Sequence, residues 1–204
     1  RCRHCGRHAP NPKVDLGCAK WCKFARDCLG AAVAPDGTSL REALLAEMKR
    51  VFGDDARRIG HALEVLGYAE QILSAEGGDP MVVTAAAILH DIGIHEAERR
   101  HGSAAGKYQQ IEGPPIARAV LQKLGADSDR VEHVCDIIGQ HHTLGGMDSL
   151  EFRIIWDADR LANIPEEQAG KPPAERLAAL EWMCRTDAGR AIARQRIAGA
   201  GAGD

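Results

Sequence analysis

The sequence has 204 residues and a formal net charge of −3, enough chain for one well-formed core with a small appendage. The slight negative balance gives no reason to expect a general nucleic-acid or membrane surface. No apolar run is long enough to span a bilayer and no signal peptide is visible, so a cytoplasmic location is the default expectation.

The first 30 residues are rich in cysteine. Five of the seven cysteines lie there, and these are Cys2, Cys5, Cys18, Cys22 and Cys28. Without a secretion signal, clustered cysteines bind metal more often than they form disulfides. The C-x2-C pair before Gly6 looks like one knuckle of a zinc ribbon, so residues 1–30 are predicted to bind structural zinc. The other ligands are either two of the three later cysteines or a second knuckle upstream of Arg1. Reduced thiols and an iron–sulfur cluster are the alternatives.

Residues 31–38 predict a linker into a helical body over 39–198, and 199–204 predict a flexible tail. Apolar periodicity indicates helices over 39–52 and 55–74. In the second of these helices His61 lies on the inward line. An inward histidine alone is more often a hydrogen-bonded core residue than a metal ligand.

The next predicted helix is short and apolar on every side. Asp79, followed by proline, caps its start, and Met81–Leu89 leave no face for water, so the helix is expected to be buried. His90 and Asp91 close it, and Gly93 is expected to let the chain turn away. Burying this imidazole and carboxylate unpaired would cost roughly several kcal/mol, and a cation removes that cost. We therefore interpret the pair as half of a metal site.

A long connection is expected over residues 96–115. Its stretch 102–107 lacks the spacing, the Ser/Thr and the preceding strand of a nucleotide-binding loop. Arg99, Arg100 and Lys107 are candidates for a mobile basic lid over a phosphorylated substrate; a solvated loop is the alternative.

Two further helices are predicted to start near residues 127 and 148, and they carry the remaining candidate site residues. His141 and His142 lie at the edges of an apolar face, while His133 points away. In the second helix Asp157 is interpreted as a surface ion pair. Asp159 falls between apolar neighbours, where a buried carboxylate requires a partner, so Asp159 is the preferred metal ligand. Helices over 173–183 and after Thr186-Asp187 complete an all-α chain without a strong strand.

The pattern of one inward histidine, a His-Asp pair and a distal aspartate resembles the His-Asp (HD) superfamily of metal-dependent phosphohydrolases. Ala87-Ile-Leu-His-Asp-Ile-Gly93 is close to its HDIG form, and Asp157-Ala-Asp159-Arg160-Leu is similar to its final motif. The resemblance covers residues 39–165 and implies an all-α HD-type helical bundle around a divalent metal. Mn²⁺, Fe²⁺, Co²⁺, Ni²⁺, Zn²⁺ and Mg²⁺ all suit this donor set. The implied ligands are His61, His90, Asp91 and Asp159.

The same resemblance implies hydrolysis of a nucleotide or another small phosphoester, as a phosphomonoesterase or phosphodiesterase. His90 and Asp91 are then catalytic, and His95 is a candidate general acid or base; a hydrogen-bonded core or loop histidine is the alternative. No membrane or nucleic-acid partner is expected for the helical body, and the oligomeric state is open.

Some members of the superfamily bind a second metal, and here the candidates are Glu112, His141 and His142. Ile94 stands where cyclic-dinucleotide phosphodiesterases have the lysine of HDIGK, and a Gly-Tyr-Pro motif is lacking, which argues against that branch. Two other functions stay open. One is a di-iron oxygenase using the same pocket. The other is a non-catalytic nucleotide-sensing adaptor that binds a partner through the Cys-rich segment.

Overall fold

The computed structural model describes residues 39–143, 145–167 and 170–200. Within these ranges the chain forms nine α-helices: α1 (Leu40–Phe52), α2 (Ala56–Glu76), α3 (Pro80–Leu89), α4 (Ile94–His101), α5 (Gly106–Lys123), α6 (Ser128–Gln140), α7 (Leu150–Glu167), α8 (Pro173–Met183) and α9 (Asp187–Ala200). The five clustered cysteines and the predicted zinc segment lie outside the described residues. Within the part of the chain that is described, no helix combines the length and apolarity of a membrane span.

The helices begin where polar side chains satisfy free backbone N–H groups. Ser39 and Glu42 form a reciprocal capping box at the start of α1. Asp55 accepts from the backbone of Arg58 at the start of α2, and Asp79 accepts from two N–H groups at the start of α3. These caps fix where each helix starts and therefore which residues face inward.

Helix α3 is the centre of the bundle and packs against α1, α2, α6 and α7. Every side chain from Met81 to Leu89 except Thr84 is buried. The prediction of a helix buried on all sides is therefore confirmed, and so is the all-α fold. Because α3 ends at Leu89, His90 and Asp91 follow directly in the interior of the bundle.

The prediction of a long connection over 96–115 is wrong, since α4 and α5 occupy most of it. Two glycines in or just before this stretch serve close packing. Gly93 has an ordinary φ of −80°, but a Cβ there would lie 2.4 Å from the backbone nitrogen of Gly113. A Cβ on Gly113 would lie 2.8 Å from Ile138. The start of α4 therefore contacts α5 backbone to backbone, and that approach holds α5 beside the end of α3.

Asp157 is also placed differently from the prediction. It is fully buried, and its carboxylate accepts hydrogen bonds from Arg185 and Thr186 in the turn between α8 and α9. A surface ion pair is therefore wrong for this residue. The helix that follows this turn, α9, is 14 residues long.

Candidate metal centre

The side chains predicted to bind the first metal come together from three helices. His61 lies on α2, His90 and Asp91 follow α3, and Asp159 lies on α7. Ligand atoms of His61, His90 and Asp91 all lie within 4.8 Å of one another. Asp159 is outside that compact group, but its Oδ1 lies 3.1 Å from His61 Nε2 and 3.7 Å from His90 Nε2.

The spacing of these atoms suits one ion. The Nε2 atoms of His61 and His90 are 3.2 Å apart, and Asp91 Oδ2 lies 3.6 Å from His90 Nε2. Atoms bound to one ion at about 2.0–2.2 Å lie roughly 3–3.5 Å from each other. Divalent transition metals bind mixed sets of imidazole and carboxylate donors, so the residues present fit a divalent metal ion.

A backbone contact fixes the orientation of His90. Its Nδ1 donates to the carbonyl of Ala87 at 2.9 Å, which leaves the lone pair of Nε2 directed at His61 and Asp91. Metal-binding histidines are commonly held in this way, with the second ring nitrogen donating to a carbonyl.

A second group of donors faces the other oxygen of Asp91. Asp91 Oδ1 lies 3.4 Å from His141 Nε2 and 3.9 Å from His142 Nε2, and His141 Nδ1 donates to the carbonyl of Ile138 at 2.7 Å. Asp91 Oδ1 and His141 Nε2 are both buried and have no hydrogen-bond partner. Leaving such atoms unsatisfied costs about 1–3 kcal/mol each, and a cation between them would satisfy both.

The electrostatics of the centre favour a neutral His90 and an ionised Asp91. Burial lowers the pKa of His90, which favours the neutral imidazole that ligates a metal. Burial also acts to lower the pKa of His61 and His141, but the carboxylates of Asp159 and Asp91 beside them outweigh it and raise both. Burial acts to raise the pKa of Asp91, yet the three surrounding histidines hold it below its usual range. Asp91 is therefore ionised.

The model of the HD domain family matches residues 58–164. The chain belongs to the HD domain family. A crystal structure of a predicted HD superfamily hydrolase from an uncultured Thermotogales bacterium is similar, with 29% identity and a TM-score of 0.58 over 79% of this chain and 86% of that one. A search of curated proteins gives no significant match.

A second similar structure supports the fold alone. It is an HD-superfamily hydrolase from Bacillus thuringiensis, with 22% identity and a TM-score of 0.54 over 77% of this chain and 88% of that one. The matched family region runs from the first turn of α2 to the second half of α7. It therefore contains the five residues of the two compact donor groups and also Asp159.

Two polar residues of this HD domain were not predicted from the sequence. Asn163 donates to Asp159 Oδ1 at 2.9 Å, one helical turn further along α7. The buried Gln109 brings its Oε1 to 3.4 Å from His142 Nε2. The i,i+4 spacing of Asp159 and Asn163 was visible in the sequence. The pairing of Gln109 with His142 depends on how α5 crosses α6 and carries no local signal.

Two other predicted residues of the HD domain, Glu112 and His95, have partners outside the two donor groups. Glu112 is buried, but its carboxylate contacts His101 at 2.9 Å and Arg100 at 3.4 Å. His95 Nε2 lies 3.1 Å from the carboxylate of Asp55. Neither Glu112 nor His95 is a member of a compact donor group in the described ranges.

The basic residues predicted to bind substrate lie at the end of α4 and the start of α5. Arg99 and Arg100 both pair with Glu96, and the ammonium of Lys107 lies 4.7 Å above the ring of Tyr108. Because Arg99 and Arg100 are helical, they are presented on a fixed surface and not on a loop.

Proposed function

We propose that the protein is a metal-dependent phosphohydrolase acting on a nucleotide or another small phosphoester. His61, His90, Asp91 and Asp159 hold a divalent metal in this proposal. The observation that carries it is the convergence of these side chains at the end of the buried helix α3, with Asp91 Oδ1 left unsatisfied in the interior. The match to the HD domain family supports the same reaction class.

The proposed roles divide between holding the metal and handling the substrate. A divalent metal bound here would supply a Lewis acid for a phosphoryl oxygen and increase the acidity of water. His90 is held in its ligating tautomer by the carbonyl of Ala87, and Asn163 orients Asp159. His95, partly exposed and held by Asp55 through its Nε2, is the proposed general acid or base.

We extend the proposal to the basic surface between α4 and α5. Arg99, Arg100 and Lys107 are the proposed contacts for the substrate's phosphate oxygens, because guanidinium and ammonium groups bind such oxygens through charge-assisted hydrogen bonds. The carboxylate of the buried Glu112 lies 3.4 Å from the guanidinium of Arg100 and orients it. We propose this orienting role for Glu112 in place of second-metal binding.

A two-metal form of the site is supported by the arrangement around Asp91. Its Oδ2 faces His61 and His90, and its Oδ1 faces His141 and His142. A carboxylate that faces two imidazole pairs can be shared by two ions, and paired ions about 3.5–4 Å apart are common in phosphoester hydrolysis.

The same shared carboxylate favours a second candidate, a di-iron oxygenase. Iron accepts imidazole and carboxylate ligands as readily as the other metals. Two iron atoms per chain, substrate-dependent oxygen uptake and no phosphate release would support the oxygenase over the hydrolase.

The proposed function is tested by measuring metal content and phosphate release together. The protein is stripped with a chelator, reloaded with Mn²⁺, Fe²⁺, Co²⁺, Ni²⁺, Zn²⁺ or Mg²⁺, and assayed on a panel of phosphomonoesters and phosphodiesters. We also propose zinc in the Cys-rich segment, so the assay uses a parallel Cys2→Ser, Cys5→Ser protein to separate that metal from the helical site. Metal at 100 times its Kd would stabilise the fold by about 2.7 kcal/mol, a rise in Tm of roughly 5–11 °C.

The matched variants for this test are two histidine substitutions. We expect His90→Ala to lose both the bound metal and phosphate release. His133→Ala should keep both, because His133 faces Ser149 away from the centre. A reloaded wild-type protein that binds metal but releases phosphate from no member of the panel would contradict the proposed reaction.

A further inference from the structure

The C-terminal helix α9 is joined to α7 through a buried carboxylate. Asp157 Oδ1 accepts from the backbone of Arg185 at 2.7 Å. Its Oδ2 accepts from the backbone N–H of Thr186 at 2.8 Å and from the Thr186 hydroxyl at 2.7 Å. The same hydroxyl accepts from the backbone of Gly189 at 2.9 Å and so caps α9. One threonine therefore connects the start of α9 to the middle of α7.

The fit at this junction is close. A Cβ on Gly189 would lie 2.3 Å from Asp157 Oδ2, so only glycine allows the helix to approach the carboxylate. Asp157 has no exposed surface. A buried carboxylate that accepts three hydrogen bonds holds its helix in one rotational setting, because any rotation of α7 would leave it unsatisfied.

Helix α9 also contacts α2 at two points. The backbone of Ala188 donates to Glu76 Oε1 at 2.8 Å near the end of α2. Further along, the guanidinium of Arg196 lies 3.1 Å from Glu64 and 5.1 Å above the ring of Tyr68. The last helix thus contacts both α2 and α7, although it lies outside the matched family region at 58–164.

Helices α2 and α7 are the two that carry His61 and Asp159. Asp157 and Asp159 are two residues apart, roughly 200° around the helix, so Asp157 faces α9 while Asp159 faces His61. The 3.1 Å contact between His61 Nε2 and Asp159 Oδ1 therefore depends on the rotation of α7 and on its distance from α2. Both are constrained by the contacts of α9.

We propose that Asp157 and Thr186 are positioning residues. Together with α9 they orient Asp159 toward the metal that Asp159 and His61 would bind. The inference rests on the proposed function, because the metal supplies the measurement. It assigns a role in metal binding to a C-terminal segment that contributes no ligand itself.

The test compares Mn²⁺ affinity in three variants by isothermal titration calorimetry. Mn²⁺ is the probe because thiolates bind it poorly, so the Cys-rich segment does not contribute. Thr186→Val removes the hydroxyl that donates to Asp157, whereas Thr186→Ser keeps it. Val120→Ala, a core change near the end of α5, is the control for lost stability, and the Tm of each variant is recorded alongside.

We expect Thr186→Val to weaken Mn²⁺ binding by about 10–100-fold, the range seen when outer partners of metal ligands are removed. The Mn²⁺ affinity of Thr186→Ser should stay within about threefold of the wild-type value. The affinity of Val120→Ala should do the same, even when its Tm falls as far as that of Thr186→Val. Equal affinities in Thr186→Val and Val120→Ala would show that the threonine only stabilises the fold, and would overturn the inference.

A second variant covers the case in which Thr186→Val does not fold. Glu76→Ala removes the contact between α2 and Ala188 at a partly exposed position, and it should weaken Mn²⁺ binding by about three- to tenfold. Unchanged affinity in Glu76→Ala would then overturn the inference. Wild-type protein that binds no Mn²⁺ would instead overturn the proposed function together with this inference, and the two failures are therefore distinguishable.

Discussion

The candidate metal centre and the basic surface of α4 and α5 both hold several charged groups. Those of the centre are buried and include atoms without a hydrogen-bond partner, whereas those of the basic surface are exposed and form ion pairs. His90 is 1% exposed and Asp159 is 4% exposed, and the centre contains buried atoms without partners. The side chains of Arg99 and Arg100 are 66% and 55% exposed and both pair with Glu96. An unsatisfied polar atom in the interior is costly, whereas an exposed ion pair contributes little.

This difference indicates where the largest effects of substitution should appear. Charge density alone does not separate the two regions. Burial without hydrogen-bond partners does, because the unsatisfied atoms of Asp91 and His141 lie where the proposed cation would bind. We therefore expect changes at the centre to affect metal binding and catalysis strongly, and changes on the basic surface to affect substrate binding moderately.

The largest effect is expected for Asp91→Asn. The substitution keeps the side-chain volume but removes the charge that faces both histidine pairs. Outer partners of metal ligands are each worth about 10–100-fold, so loss of a shared ligand should lower kcat/KM by at least about 1,000-fold and abolish stoichiometric metal binding. Asp136→Asn, at an exposed position on α6, is the control. Retention of metal and activity by Asp91→Asn would remove the distinction between the two regions.

A smaller effect is expected for His141→Ala. His141 Nε2 is buried beside Asp91, and its loss should remove the second of two metals and lower kcat/KM by about 10–100-fold. Metal content per chain and steady-state kinetics measure this. His133→Ala on the same helix should leave both values within about twofold. If His141→Ala keeps full metal content and activity, one ion is sufficient and the second donor group has another role.

The smallest effect is expected on the basic surface. Arg100→Ala should raise KM by about tenfold and leave kcat within about twofold, because one exposed charge-assisted contact is worth about 1–1.5 kcal/mol. Arg118→Ala removes an arginine of α5 that pairs with Glu132 and should not change KM. A fall in kcat without a change in KM would place Arg100 in the chemical step and not in substrate binding.

Most of the fold could be predicted from the sequence because the signals were local. The cap at Asp79 and the apolar run to Leu89 determine the buried helix α3, and inward position selected Asp159. His61 became a ligand candidate only through the resemblance to the HD superfamily. The structure brings these two together at 3.1 Å. A carboxylate that interrupts an apolar face is a strong signal, because its burial must be explained by a partner.

The remaining features depended on contacts between helices that are distant in the sequence. The glycines of 96–115 suggested a loop, but Gly113, like Gly93 just before that stretch, is a glycine because two backbones meet there. Asp157 was assigned to the surface because its neighbouring arginines are visible in the sequence, whereas the α8–α9 turn that it contacts is almost 30 residues away. Neither contact has a signature within one helical turn.

The most direct test of the metal centre is a crystal structure of the Mn²⁺-loaded protein with anomalous scattering measured at the manganese edge. We expect an anomalous peak bound by His61, His90, Asp91 and Asp159, with a second peak between Asp91 and His141 in the two-metal form. An ordered, fully loaded crystal with no anomalous peak among these four side chains would contradict the account.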